Sequence, residues 1–339
     1  MDQPTRRAFL GTTFVPLTAL ASCTAASTPL PVVRRRDFEP AYLRLERSGE
    51  LARRVEQLRS LYASCRLCPR RCGVNRLRGE KGLCSSTARA KVYSAHPHFG
   101  EEKPLVGRGG SGTIFFSNCN LLCVFCQNWE IAHRGDGSFV SDETLGRLMT
   151  DLQEAGCHNI NLVTPSHIVP NIVSALRTAI RRGLRIPLVY NCSGYDGLEA
   201  IQLLDGIVDI YLPDFKYTDG AMAEKYSFGA RDYPEVAAAA IKEMYRQVGD
   251  LVVDENGIAL RGLIVRHLVM PNNVAGTDKF VRWVAENLSP STYVNLMPQY
   301  RPEHRARQYP EIARRITWEE WRQALAWARA AGLTRFEPV

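Results

Sequence analysis

Six short apolar runs with β character, separated by helical patterns, constrain this chain more than any other feature. They cover residues 113–117, 159–163, 187–191, 208–212, 263–268 and 292–296. Between them, Ser141 can cap a helix whose Leu145, Leu148 and Leu152 share one face. Ile172, Val173, Leu176 and Ile180 form a second stripe, ended by Gly183. Pro234 suits a helix start ahead of 236–248. Thr277 can cap a helix carrying Phe280, Trp283 and Leu288, and Thr317 with Glu320 makes a capping box in front of Trp321. Strands alternating with helices predict a parallel sheet with right-handed crossovers. Six units are too few for an eight-stranded barrel. The expected fold is therefore α/β, a partial (β/α)6 TIM-type barrel with an N-terminal cysteine-rich extension; a doubly wound sheet is the alternative. In either, chemistry belongs at the carboxyl ends of the strands.

Ahead of the barrel, residues 1–23 read as an address rather than as structure. Thr5-Arg6-Arg7-Ala8-Phe9-Leu10 resembles a twin-arginine export signal, and the apolar stretch over 9–21 is short for a membrane span, which needs about 20 residues. Leu20-Ala21-Ser22-Cys23 resembles a lipoprotein cleavage box in which Cys23 becomes the lipidated first residue. This predicts export and attachment to a membrane through Cys23. The remaining expected organisation is a tether and helix over 24–62, with the helix across 42–62, then the cysteine-rich extension over 63–110. The core follows over 111–300 and a helical extension over 301–339. Net charge is +8, partly from Arg6-Arg7 and Arg34-Arg35-Arg36. No nucleic-acid-binding motif accompanies it, so no nucleic-acid partner is expected. A chain of 339 residues buries a core without covalent staples, so the spacing of its ten cysteines matters more than their number.

Cys119, Cys123 and Cys126 are spaced C-x3-C-x2-C directly after the first strand. Three thiolates within eight residues can wrap one cubane cluster. Such clusters normally take four cysteines, so three leave one iron open to a ligand. A zinc site is the alternative; it needs a fourth ligand, for which His133 is within reach along the chain.

The spacing, with Phe125 just before the last cysteine, resembles the signature of the radical S-adenosylmethionine (SAM) superfamily. Cys65-Arg66-Leu67-Cys68-Pro69-Arg70-Arg71-Cys72, Gly79-Glu80-Lys81-Gly82-Leu83-Cys84 and Cys126-Gln127-Asn128 extend the likeness. They are similar to the pyruvate formate-lyase-activating-like branch and to the radical SAM component of the AmmeMemoRadiSam system. The resemblance implies a [4Fe–4S] cluster whose open iron chelates SAM, reductive cleavage to a 5′-deoxyadenosyl radical, and hydrogen abstraction. The substrate would be a protein, as for a glycyl-radical activase, or a small molecule. A low-potential donor such as flavodoxin or ferredoxin is implied too. SAM chemistry favours the cytoplasm, which stands as the alternative to export. An exported iron–sulfur electron-transfer lipoprotein without SAM chemistry is the alternative function.

The same resemblance suggests SAM contacts from Phe125 and Asn128. Thr164 and Ser166 stand where relatives carry a Gly-Gly-Glu-like turn. Asn191 and Ser193 lie in an element similar to Asp-Thr-Asn-Gly. Asp214 and Lys216 match an Asp-x-Lys element near the SAM carboxylate, and Arg266 could face it. After the last strand, Gln299 or Tyr300 takes the place of a histidine. Upstream, Cys65, Cys68, Cys72 and Cys84 form C-x2-C-x3-C-x11-C, suited to zinc or a second iron–sulfur cluster, with disulfides the alternative. Cys157 and Cys192 read as small buried residues, and His96 and His98 as packed or surface residues.

Overall fold

The computed structural model describes residues 29–335; the twin-arginine segment and Cys23 lie outside the described residues. The described residues form nine strands: β1 (Lys91–His98), β2 (Ser111–Phe116), β3 (Ser138–Phe139), β4 (Ile160–Val163), β5 (Leu188–Cys192), β6 (Ile210–Pro213), β7 (Val252–Val253), β8 (Ala259–Leu268) and β9 (Tyr293–Met297). They form one sheet in the order β3-β1-β2-β4-β5-β6-β8-β7, with β9 also beside β8. The pairs β2–β4, β4–β5, β5–β6, β6–β8 and β8–β9 are all parallel. Six parallel strands thus run in chain order without a reversal. That is the barrel topology, since a doubly wound sheet reverses its order midway. Among the described residues β2 and β9 are not paired, so the barrel is partial.

The parallel strands are apolar on both faces because both are covered. Outward residues such as Ile160, Leu162, Leu188 and Tyr190 join the large core under the helices. Inward residues Val189, Ile210, Leu212 and Ile264 form a separate cluster around Leu105. Leu105 comes from the short helix Lys103–Val106, which precedes β2 and enters the barrel. Asn159 donates Nδ2 to the Leu105 carbonyl (2.8 Å), and Asn295 on β9 donates to Glu102 Oε1 (3.0 Å). This segment therefore lies across the gap between the first and last parallel strands. On the far side, Val33 N–H bonds the Val253 carbonyl (2.9 Å) and Arg335 bonds the Pro29 carbonyl (2.7 Å).

The helix caps at Ser141 and Thr317 form as the sequence suggests, the second as a full capping box. Other expectations need correction. The helix over 42–62 is two helices, Ala41–Arg47 and Glu50–Ser60, broken at Gly49, whose left-handed φ of 76° ends the first. Thr277 is not a cap: Gly276 holds that position, and the Thr277 hydroxyl lies 3.0 Å from His267 Nε2. The cysteine-rich extension contains β1, antiparallel to β2; its mostly part-exposed residues give no clean alternation to read. Strand β8 starts at Ala259 because its first residues pair with β7, with a register shift between Val252 and Val253. Within the arginine run, Arg35 pairs with Asp254 at 2.7 Å. No helix among the described residues is long and apolar enough to cross a membrane.

Candidate active site

The loop after β2 is curled by two non-glycine residues in the left-handed region, Asn118 (φ 74°) and Leu122 (φ 54°). That curl turns Cys119, Cys123 and Cys126 toward one cavity of about 410 Å³. The Leu121 N–H lies 3.4 Å from Cys119 Sγ, and Ser227 Oγ donates to Cys123 Sγ at 3.1 Å. Donors aimed at sulfur favour thiolate. Burial works the other way, pushing Cys123 up to about 11 and Cys126 up to about 12. These thiols therefore release protons only when a metal takes their place.

Three thiols on a shared cavity fit a cluster with one open iron. Among the described residues no three His, Cys, Asp or Glu donors converge on one metal ion. His133 is not a fourth ligand: its Nε2 meets the Cys123 carbonyl (3.0 Å), and its ring lies against His304. All nine described cysteines are free, so disulfides are absent from the described residues.

The cavity opens at the carboxyl ends of the parallel strands. Phe125, its ring 5.9 Å from that of Tyr300, and Asn128 line it beside the cysteines. Thr164, Asn191 and Ser193 line the wall from β4 and β5. The Ser193 hydroxyl is buried with no hydrogen-bond partner. Gly194, at φ 75°, follows; a Cβ there would meet the Asp214 carbonyl at 2.3 Å, so only glycine fits.

The wall from β6 and β8 is charged. Asp214 accepts from Lys216 Nζ (2.5 Å) and from Arg266 Nε (2.8 Å), and Arg266 also reaches Asn191 Oδ1 (2.6 Å). Burial would raise the Asp214 pKa, but Arg266 and Lys216 outweigh it and hold the carboxyl below its ordinary value. Burial would likewise lower Lys216, and Asp214 overrides it. Glu101 lies 3.6 Å and Glu102 3.9 Å from the same guanidinium. Burial pushes Glu101 up to about 7 against the pull of Arg266.

Two expected SAM contacts do not reach the cavity. Ser166 is buried and faces Asp196, because the chain turns at Thr164 (φ 60°). Tyr300 is buried with its hydroxyl on the Ile312 carbonyl (2.7 Å), whereas Gln299 and Met297 line the cavity. Cys192 is the last residue of β5 and lines it too. Cys65, Cys68, Cys72 and Cys84 come together around a separate small void. Sequence reasoning missed Glu101, which lines the main cavity, and His167, which lines the void; His98, read as a packed or surface residue, lines the main cavity too. The acidic doublet beside Pro104 was visible, but nothing in its spacing puts it inside a barrel.

Three comparisons relate this chain to known proteins. The model of the radical SAM superfamily matches residues 113–253. The uncharacterized protein MJ0674 of Methanocaldococcus jannaschii is 35% identical over 288 residues, 83% of this chain and 78% of that one. A weaker likeness is to the solved structure of HydG, a maturase of the [FeFe]-hydrogenase (TM-score 0.45, 14% identity). It covers 64% of this chain and 48% of HydG, so the chain spans about half that protein's length. The family match begins on β2, carries the cysteine loop and runs to β7, and residues 113–253 form a domain of the radical SAM superfamily, which implies a [4Fe–4S] cluster with SAM as co-substrate.

Proposed function

We propose that Cys119, Cys123 and Cys126 hold the cluster, that SAM lies across the cavity, and that a hydrogen atom is taken from a second reactant. That reactant is a protein, as for a glycyl-radical activase, or a small molecule. The observation that carries this reading is the meeting of three thiols with a polar, partly unpaired wall in one open cavity. The chemistry supplied by a bound cluster is one-electron reduction of the SAM sulfonium, giving methionine and a 5′-deoxyadenosyl radical. The chain's own residues bind and orient. Lys216 and Arg266 offer the positive wall for the SAM carboxylate, steadied by Asp214. Thr164, Asn191 and Ser193 offer oxygen atoms to its ammonium group. Phe125 and Asn128 flank the cluster loop, and Glu101, at about 7, can hold or release a proton at neutral pH. A low-potential carrier of the flavodoxin or ferredoxin type would deliver the electron. We place the protein outside the cytoplasm, lipid-anchored through Cys23, on the twin-arginine and cleavage-box residues alone.

The test is 5′-deoxyadenosine release after anaerobic cluster assembly with SAM and dithionite. Wild-type protein is expected to form it. The Cys119→Ala, Cys123→Ala, Cys126→Ala triple variant should fall by about a thousandfold or more, some 4 kcal/mol of barrier. An intact cluster that yields no product would sink the proposal and leave an electron-transfer protein.

A further inference from the structure

We propose that Cys65, Cys68, Cys72 and Cys84 bind a second iron–sulfur cluster of the four-iron class, in a closed site back to back with the first. The four thiols line one void together with Arg76 and His167. The void is about 10 Å³, roughly the space that the centre of a single water needs. Four cysteines at one void are the donor set that a four-iron cluster takes.

Two buried groups around the void lack the partners they need. Arg76 is 1% exposed. Its guanidinium donates to the carbonyls of Thr87 (2.5 Å) and His167 (2.7 Å), lies 3.9 Å from Cys65 Sγ, and sits over the Tyr62 ring. No carboxylate pairs with it among the described residues. A buried cation without an anion is costly. Four thiolates around a cluster carry net negative charge and supply that anion; four neutral thiols do not. His167 is 2% exposed, and its Nε2 donates to the Ser117 carbonyl at 2.9 Å. Its Nδ1 therefore carries a lone pair, and that atom has no partner. A metal-ligating or metal-facing imidazole is commonly fixed by such a carbonyl.

The two thiol groups share a wall. Arg70, between Cys68 and Cys72, donates to the carbonyl of Asn120 (3.0 Å), the residue after Cys119. It also donates to the carbonyl of Ser227 (3.1 Å), whose hydroxyl bonds Cys123 Sγ. Gly82 closes the other side: a Cβ there would lie 2.5 Å from Cys72 Sγ.

The site is tested in the full chain with the first cluster removed. The Cys119→Ala, Cys123→Ala, Cys126→Ala variant, assembled anaerobically with iron and sulfide, should retain about four irons and four sulfides per chain. After dithionite it should show the spin signal of a reduced cluster. One bound zinc, or no metal at all, in that variant overturns the proposal. A second variant guards against misfolding: Cys65→Ser with Cys84→Ser in the otherwise wild-type chain should take up about half the wild-type iron, and full iron content there also overturns it. SAM cleavage by the wild-type protein is unaffected by either failure, so this site and the proposed reaction fail separately.

Discussion

The two walls of the main cavity are built on opposite plans. On the β6–β8 side, Asp214, Lys216, Arg266 and Glu101 answer one another at short range, and each side chain is at most 18% exposed. On the β4–β5 side the groups are neutral, and the Ser193 hydroxyl answers to nothing. A paired, largely buried charge is a structural crosslink as well as a recognition element, because removing one member strands the others. An unpaired hydroxyl adds little to folding and gains its bond only with a ligand. The difference separates residues whose loss unfolds the site from residues whose loss merely loosens binding.

Arg266→Met breaks that contrast most directly. It strands Glu101 and Glu102 and leaves Asp214 with Lys216 alone, and should cost about 3–5 kcal/mol in denaturant unfolding. An effect near that of a surface substitution would mean the charged wall is held by something else. Glu101 gives the next largest effect, and it depends on pH. Its folded value of about 7 lies above its ordinary 4.5. The protonated form is thus favoured by folding, and the stability it contributes is full below 4.5 and lost as pH rises through 7. The span is on the order of 3 kcal/mol. Glu101→Gln should flatten the fall in stability over that window, set otherwise by Arg266, Glu102 and Asp214 around it. Gly194→Ala sits where the walls meet, with left-handed backbone and the Asp214 carbonyl in the way. It should cost about 1–3 kcal/mol by thermal unfolding. Ser193→Ala comes last. Stability should change by less than about 0.5 kcal/mol, while SAM binding, measured by equilibrium dialysis on cluster-loaded protein, weakens several-fold. If it destabilises the fold as much as Gly194→Ala, the contrast fails.

The parallel strands were readable because burial on both faces writes them as continuous apolar runs, and each observed strand overlaps its run. The break at Gly49 and the exposed strand β1 left no such trace. At the site, Asn191, Asp214 and Arg266 could be placed because position along a strand decides which end of a barrel a residue reaches. Ser166 could not: one left-handed residue at Thr164 redirects everything after it, and no pattern forecast that turn. Glu101 and His167 depend on contacts between segments far apart in the chain. His167 needs the Ser117 carbonyl fifty positions earlier before its free nitrogen has meaning.

The place of Pro29 and Arg335 has a bearing on access. Pro29 and Arg335 touch each other, close to the starts of β8 and β9, whereas the thiols sit at the other pole of the barrel. A tether that acts on Pro29 would therefore pull on the blind end. A bulky reactant approaching the mouth would not compete with its own tether for room.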